Sequence, residues 1–224
     1  MKVLYILLSL ICGYLLGSLP TALIIGKLRK GIDIREYGSK NMGATNAGRV
    51  LGKKYFFIVL IIDTFKCILG MLSSYALYLL FFQSIDSTIF TIAVSLAGTF
   101  AMIGHCYPVF AQFKGGKGVS TALGYILVTS PICGLCVVVS FLLTFLIKRY
   151  ISLGSIIGSI VAIIYTWIIY LIFKESYTLI WYGFEYNLGY CIITTIFALT
   201  VIIKHKENIK RLINREEKKF TFKK

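Results

Sequence analysis

The chain has 224 residues and a mean hydropathy of +0.82, and 58% of its residues are hydrophobic whereas only 15% are charged. These values exclude a soluble globular domain and predict a polytopic membrane protein. The formal net charge of +15 would suggest nucleic acid as the partner of a soluble protein, but here the basic residues lie in short loops and in the tail. The charge therefore favours anionic ligands, lipid headgroups and orientation in the membrane over nucleic acid.

The first apolar run, Val3–Ile25, is long enough to cross about 30 Å of hydrocarbon. A secretory signal peptide is the alternative, but its positive n-region would consist of Lys2 alone. A lipoprotein signal is also unsuitable, because Ile11 before Cys12 is too bulky for the cleavage site. We therefore expect this run to remain as the first span.

Six more apolar helices are predicted after the first, separated by polar segments. Their expected bounds are Tyr55–Phe82, Ile89–Gly104, Gly118–Thr129, Ile132–Ile147, Ile151–Phe173 and Leu188–Ile203. The predicted fold class is all-α, a polytopic membrane bundle of about seven transmembrane helices with its N-terminus outside and its C-terminus in the cytoplasm. Residues 1–224 are expected to form one integral membrane domain with a basic cytoplasmic tail, residues 204–224.

The helix count depends on a break at Ser130-Pro131 within the apolar run Thr121–Ile147. Proline removes a helix hydrogen-bond donor and restricts the residue before it, so a turn is expected there. As one helix, the run would place Lys148-Arg149 on the face opposite Lys117, against the positive-inside bias. With the break, all but three of the 24 lysines and arginines lie on one face. The three exceptions are Lys2, Lys66 and Lys174.

Four polar patches are predicted on that face, and the first is the loop after the first span. The segment Gly38–Lys54 cannot itself be a span, and its amides and hydroxyls are costly at a hydrocarbon boundary unless they have partners. Glycines let the backbone approach an oxyanion closely, and arginine binds it with two hydrogen bonds. The loop therefore predicts an anion cradle, with Ser39, Asn41, Asn46 and Arg49 as candidate side chains.

The second patch, Lys114–Ser120, is a glycine-rich turn that leads into a helix. It is not a nucleotide-binding P-loop, because Lys117 is followed by Gly118 rather than by Ser or Thr. Backbone amides and the helix dipole still suit such a turn to phosphate, and the alternative is a basic loop that obeys the positive-inside rule. The candidates are Gly115, Gly116, Lys117 and Gly118.

The third and fourth patches follow later in the chain. In the third, Ser152 and Ser155 either cap the following helix or hydrogen-bond a ligand. In the fourth, His205, Asn208 and Arg211 are spaced by three and share one face if the helix continues beyond the membrane. The alternative for the fourth patch is a basic amphipathic tail that lies on anionic lipid.

Other polar residues have simpler structural explanations. Asp63 and Lys66 lie three apart within a span and are expected to form an ion pair, either as a functional group or as a brace for the loops. No carboxylate is near His105 in the local sequence, so a structural histidine is favoured over a base. Cys133 and Cys136 form a Cys-x-x-Cys, but no histidine or charge accompanies them, and free cysteine in an apolar run behaves as a small hydrophobe.

The candidate site residues are mostly cationic or hydrogen-bonding, and few of them could act as a base. The sequence shows no cluster with metal-ligand spacing, no Gly-x-Ser-x-Gly nucleophile elbow and no carboxylate pair for glycoside hydrolysis. Such a site suits phosphorylated substrates, one of them with an acyl tail in the bilayer. A donor such as acyl phosphate has a good leaving group, so positioning and charge stabilisation can supply most of the rate.

Four motifs in a fixed order cover nearly the whole chain. They are Gly38-Ser-Lys-Asn-Met-Gly-Ala-Thr-Asn-x-x-Arg49, Asp63-x-x-Lys66, His105-x-x-Pro108 with Lys114-Gly-Gly-Lys-Gly118, and His205-x-x-Asn208-x-x-Arg211. In order and spacing they closely resemble the bacterial membrane glycerol-3-phosphate acyltransferases that use acyl phosphate.

This resemblance implies a seven-helix bundle in the bacterial cytoplasmic membrane, with the active site facing the cytoplasm and with no metal or cofactor. It implies the first acylation of phospholipid synthesis, in which the sn-1 hydroxyl of glycerol 3-phosphate attacks acyl phosphate to give lysophosphatidic acid and phosphate. The expected partners are therefore glycerol 3-phosphate, acyl phosphate, membrane lipid and the upstream enzyme that forms acyl phosphate.

By position, the resemblance places five residues at the core of the site, namely Ser39, Arg49, Lys117, His205 and Asn208. The hypothesis for their roles is that Arg49 and Lys117 hold the two phosphates. Ser39 and Asn208 would orient the glycerol backbone or the acyl carbonyl. His205 would orient a group or relay a proton, and the substrate's own phosphate would accept the hydroxyl proton.

Two positions depart from the family pattern. Lys40 stands where many relatives have glycine, and Gly154 stands where some have serine. Gly154 and Ser155 are still expected to support the site, although a claim that two adjacent serines bind the ligand is weakened.

Two other classes of function stay open. A small bundle with a cationic cavity could transport phosphate or an organophosphate anion, although the polar groups cluster at one face and no inverted repeat is visible. A lipid-binding subunit without catalytic activity is the third interpretation.

Overall fold

The structure, a computed structural model, describes residues 1–173, 178–179 and 184–221. Within these ranges the chain forms ten α-helices, which confirms the all-α class. They are α1 (Lys2–Gly17), α2 (Thr21–Lys30), α3 (Ala44–Val50), α4 (Lys53–Phe81), α5 (Ser87–Cys106), α6 (Val119–Thr129), α7 (Pro131–Lys148), α8 (Ile151–Phe173), α9 (Leu188–Lys204) and α10 (Lys206–Ile213). Two short antiparallel strands between α8 and α9 are β1 (Thr178–Leu179) and β2 (Phe184–Glu185). Lys174 and the last three residues of the basic tail lie outside the described residues.

The first span is broken, which corrects the continuous helix expected over Val3–Ile25. α1 and α2 are separated at Pro20, because proline has no N–H to donate and restricts Leu19 before it. The carbonyl oxygen of Leu19 accepts a hydrogen bond of 2.9 Å from Lys66 Nζ, which ties the break to α4. By length and composition, the two helices together still suffice for one membrane crossing.

The polar loop after α2 contains a small folded unit that the sequence analysis did not anticipate. A short 3-10 turn, Ile34–Glu36, and helix α3 pack against α2 and α4 around a second hydrophobic core. Ile34 and Ala47 from the loop are fully buried there with Ala22 and Val59. These apolar residues are too few and too scattered in sequence to form a periodic pattern, but their burial fixes the position of the loop.

The predicted break in the long apolar run is present. α6 ends at Thr129 and α7 begins at Pro131, so the turn consists of Ser130 alone. Proline is well tolerated at the first position of a helix, where its missing N–H would have no partner. The hydroxyl of Tyr186 donates a hydrogen bond of 2.6 Å to Ser130 Oγ and closes the turn from the side.

Five described helical segments are long and apolar enough to cross a membrane, and the bent pair α9–α10 makes a sixth. The pair bends by 56° at His205. α6 is apolar but only 11 residues long, which is shorter than a full crossing needs. Seven spans and the orientation of the termini therefore stay predictions.

The helices pack through small residues and leave a cavity at one end. A Cβ on Gly17 of α1 would collide with the backbone carbonyl of Ala101 in α5, and Gly70 of α4 lies against Gly13 of α1. Such close approach is typical of membrane helix contacts. α6, α8 and α9 contribute residues to the wall of the cavity, and α3 and α10 contribute residues to its polar end.

Candidate active site

A cavity of ≈ 790 Å³ joins the polar ends of several helices to the apolar interior of the bundle. Its polar wall combines residues from the opening loop, the glycine-rich turn, α8, α10 and the tail. These residues are Ser39, Asn41, Thr45, Arg49, Lys117, Ser152, Ser155, His205, Asn208, Arg211 and Glu217. Its apolar wall includes Ile126, Val137, Phe141, Ala162 and Phe197. All four predicted patches thus contribute side chains to one space.

The opening loop presents Ser39 through a brace made by Asn46. The Ser39 N–H donates to Asn46 Oδ1 at 2.7 Å, and Asn46 Nδ2 donates to the carbonyls of Ile34 and Tyr37 at 3.0 and 3.1 Å. Gly38 has φ +62, and a Cβ there would collide with Asn46 Oδ1. Asn46, which was predicted to bind phosphate, lines the cavity and uses both ends of its amide to hold the loop in shape.

Arg49 lies near the end of α3 with its guanidinium at the cavity. Among the described residues it makes no hydrogen bond and no ion pair, and its Cζ lies over the ring of Phe220, 5.9 Å from the ring centroid. Burial lowers the pKa of Arg49, and Glu217 acts in the opposite direction. A partly desolvated guanidinium with unused donors is suited to bind an anion with two hydrogen bonds.

Lys117 projects from the glycine-rich turn before α6 and donates a hydrogen bond to Asn208 Oδ1. Burial is the main reason that its pKa falls to about 8, and the positive charge of Arg211 adds to the effect. The ammonium group is therefore held in a region of excess positive charge and low solvation. An anion bound there would restore its pKa, because an opposite charge nearby favours the charged form.

The three glycines of this turn, Gly115, Gly116 and Gly118, were predicted to bind phosphate through their amides. None is among the described residues that line the cavity. A Cβ on Gly116 would collide with the His105 ring, one on Gly115 with the His105 carbonyl, and one on Gly118 would lie 2.9 Å from Met102 Cγ. The glycines allow the turn to lie directly against α5, and that contact is what places Lys117.

Glu217, from the tail beyond α10, is the site residue that the sequence analysis missed. Its carboxylate accepts hydrogen bonds of 2.7 Å from Ser152 Oγ, Asn208 Nδ2 and Arg211 Nε. Burial would raise the pKa of Glu217, but the hydrogen bonds from these donors outweigh it and hold the pKa below its ordinary value. Glu217 thus ties α8, α10 and the tail together. The sequence gives little indication that Glu217 belongs to the site, because the residue beside it, Glu216, is also a glutamate.

His205 occupies the bend between α9 and α10 and is buried. Its Nδ1 lies 2.8 Å from the Val201 carbonyl oxygen, which can only accept a hydrogen bond. Nδ1 must therefore carry the proton, and Nε2 of the neutral ring is left as an acceptor. Ser155 Oγ donates to the Ile151 carbonyl one turn back in α8 at 2.9 Å, and Gly154 lies against the Phe141 ring.

Asp63, Lys66 and His105 form a buried group beneath the turn that carries Lys117. Asp63 Oδ1 lies 2.9 Å from Lys66 Nζ and 3.7 Å from His105 Nδ1, and it accepts a 2.9 Å hydrogen bond from Thr21. The expected ion pair thus also involves α2 and α5. Neither Asp63 nor Lys66 lines the cavity. Since the His105 carbonyl accepts a 3.0 Å hydrogen bond from the Gly116 N–H, the group supports the turn from below.

Comparisons with known proteins agree closely. A family profile described as glycerol-3-phosphate acyltransferase matches residues 7–215. The chain is 39% identical over 214 residues to the glycerol-3-phosphate acyltransferase of Bacillus subtilis, covering 96% of this chain and 97% of the relative. It is 40% identical over 221 residues to that of Chlorobaculum tepidum, covering 95% of each.

Two solved structures are also similar. Both are crystal structures of PlsY, an integral membrane glycerol 3-phosphate acyltransferase. The glycerol 3-phosphate form has a TM-score of 0.78 and 35% identity, with 96% of each chain covered. The lysophosphatidic acid form has a TM-score of 0.76 and 34% identity, covering 96% of this chain and 95% of that one.

The substitution Glu217→Gln should destabilise the protein by about 1–3 kcal/mol, because it removes the charge from three hydrogen bonds. The lowered pKa of Glu217 means that its contribution is complete above the ordinary value of 4.5 and is lost as the pH falls through the folded-state value. Thermal unfolding in detergent at neutral and acidic pH measures this. Glu216→Gln, at an exposed neighbour, is the control. Equal melting temperatures for the two variants at neutral pH would contradict the assignment.

Proposed function

This chain belongs to the glycerol-3-phosphate acyltransferase family, and we propose that it transfers a fatty acyl group from acyl phosphate to the sn-1 hydroxyl of glycerol 3-phosphate. The products are lysophosphatidic acid and inorganic phosphate, and the reaction is the first step of phospholipid synthesis. The observation that carries the proposal is a pair of partly desolvated cations, Arg49 and Lys117, at the polar end of a cavity whose other wall is apolar.

The shape of the cavity suits one small polar substrate and one amphiphile. Along α8 the lining extends from Ser152 to Ala162, a distance of about 15 Å at 1.5 Å per residue. Glycerol 3-phosphate needs only the polar end. An acyl chain fits the apolar wall, which places its carbonyl carbon near the cations and its tail among Phe141, Phe197 and their neighbours.

The proposed reaction is a direct acyl transfer. The sn-1 oxygen attacks the carbonyl carbon of the acyl phosphate, the new C–O ester bond forms, and the bond between that carbon and the phosphate oxygen breaks. The hydroxyl proton passes to a phosphate oxygen, either on the departing phosphate or on glycerol 3-phosphate. No strong protein base is required because the leaving group is already stabilised by charge.

Each residue of the core then has a physical task. Arg49 and Lys117 bind the two phosphates and stabilise the negative charge that develops on the departing one. Ser39 presents its hydroxyl from the braced loop and orients a substrate oxygen. Asn208 holds Lys117 through its Oδ1. The free Nε2 of His205 accepts a hydrogen bond from the attacking hydroxyl and aligns it.

We further propose that the protein is a multi-pass protein of the bacterial cytoplasmic membrane with seven spans and with this cavity facing the cytoplasm. The support is that the polar wall lies among the loops that carry nearly all lysines and arginines. The enzyme that forms acyl phosphate is the corresponding partner, because its product is both amphiphilic and reactive.

Purified protein in detergent should convert labelled glycerol 3-phosphate to lysophosphatidic acid with palmitoyl phosphate but not with palmitoyl-CoA. Arg49→Ala and Lys117→Ala should each lower kcat/KM by about 10²–10³-fold, the range typical for loss of one charge-stabilising group. Lys210→Ala, at an exposed cation beside Arg211, is the matched control. Turnover with the CoA ester alone would refute the donor, and no turnover at all would favour a transporter or a lipid-binding subunit.

Activity should also depend on the charge of Lys117. Its pKa of about 8 means that the free protein loses this cation as the pH rises through that value, whereas the substrate phosphate, with a second pKa of about 6, is already fully charged. We therefore expect kcat/KM for glycerol 3-phosphate to decline above about pH 8, and the decline to move to higher pH in Lys117→Arg. A profile that is unchanged by this substitution would contradict the role.

The orientation can be tested with single cysteines in a variant whose six native cysteines are replaced. Ser84 and Lys148 are both exposed, at opposite ends of the bundle. A membrane-impermeant maleimide should label Ser84→Cys in intact cells and should label Lys148→Cys only after permeabilisation. The reverse pattern would overturn the proposed topology.

A further inference from the structure

The tail beyond α10 does more than deliver Glu217, because it turns back across the mouth of the cavity. Its Phe220 is buried, with only 5% of its surface exposed. The Phe220 N–H donates to the Arg149 carbonyl at 2.8 Å. The ring centroid lies 5.6 Å from that of Phe56 in α4 and 6.3 Å from that of Phe145 in α7. The ring therefore connects two sides of the bundle at the cytoplasmic end.

The same ring faces the guanidinium of Arg49, with 5.9 Å between Arg49 Cζ and the ring centroid. The residue before Arg49 is glycine, which lets α3 lie against Phe56, because a Cβ on Gly48 would lie 2.9 Å from Phe56 Cβ, and the same position is in van der Waals range of Phe220 Cζ at 3.4 Å. A guanidinium over an aromatic face contacts the ring through its own flat face, so its N–H groups, which lie in the guanidinium plane, stay available for other partners. The ring thus restrains the cation without using its hydrogen-bond donors.

We propose that Phe220 is a positioning residue that holds Arg49 in the orientation needed to bind a substrate phosphate. This inference rests on the proposed function, in which Arg49 binds one of the two phosphates. Phe220 acts through Arg49 and does not itself touch the substrate, and Phe220 is not among the residues that line the cavity. A carboxylate partner would orient Arg49 equally well but would compete with the phosphate, whereas an aromatic ring does not.

The test separates the ring's electrostatic effect from its packing. In the purified full-length protein, Phe220→Leu keeps an apolar side chain in the same space but removes the π face, and Phe220→Tyr keeps the face. We expect Phe220→Leu to raise KM for glycerol 3-phosphate or for acyl phosphate by about 3- to 10-fold, with kcat within about twofold, as the loss of one cation–π contact predicts. Phe220→Tyr should stay within about twofold of the parent.

Two controls make the result specific to Arg49. Phe145→Leu removes a ring that packs against Phe220 but does not contact Arg49, and its KM values should not change. In an Arg49→Gln background, which removes the cation, Phe220→Leu should have little further effect on the residual activity, because interacting residues are not additive. Equal KM values in Phe220→Leu and the parent, or a full additional effect in the Arg49→Gln background, would overturn the inference.

Binding of glycerol 3-phosphate measured by calorimetry on the same variants makes the outcome independent of turnover. If the parent turns over substrate and Phe220→Leu binds and reacts as the parent does, the proposed function stands and only the role of Phe220 is refuted. A parent that binds but does not react would refute the proposed function, and the ratio of Kd values for Phe220→Leu and Phe220→Tyr would still decide the inference. A parent that does not bind would refute both.

Discussion

Desolvation of positive charge at the polar end of the cavity shapes the arrangement of this site. Arg49, Lys117 and Arg211 are close enough to affect one another electrostatically, and burial disfavours the charged forms of Arg49 and Lys117. Of the two described carboxylates that line the cavity, Glu207 and Glu217, Glu217 pairs directly with Arg211. The described site therefore keeps an excess of positive charge that a phosphate group can balance. The folded protein is in this sense arranged to favour an anionic ligand over water.

Much of the architecture follows from sequence because the physical signals are strong. Long apolar runs predict helices, and the positive-inside bias indicates which loops share one side of the membrane. Pro131 accounts for the break between α6 and α7. The bias also predicts that the polar patches lie on one face, and the resemblance to a known family then selected Ser39, Arg49, Lys117 and Asn208 together. The break at Pro20 carried the same signal but lay inside a run that was already long enough to be a span.

The remaining features depend on contacts that no local pattern reveals. Nothing in the sequence distinguishes Glu217 from Glu216, because only the turn after α10 decides which carboxylate faces Asn208. From the sequence alone, Asn46 resembles a ligand-binding amide. The structure shows that its three hydrogen-bond partners all lie within the loop. Gly116 shows the same ambiguity, since glycine serves close packing as readily as anion binding.

The shortness of α6 has a consequence of its own. Its 11 residues span about 16 Å, roughly half the length that a membrane crossing needs. The turn at its end is buried within the protein, where Thr129 and Ser130 are only 2% and 1% exposed, and two phenols supply hydrogen bonds there. Tyr186 donates to Ser130, and Tyr190 donates to Thr129 at 3.2 Å. The aromatic residues that precede and open α9 thus give the buried hydroxyls at the end of α6 their hydrogen-bond partners, and they join α9 to the turn between α6 and α7.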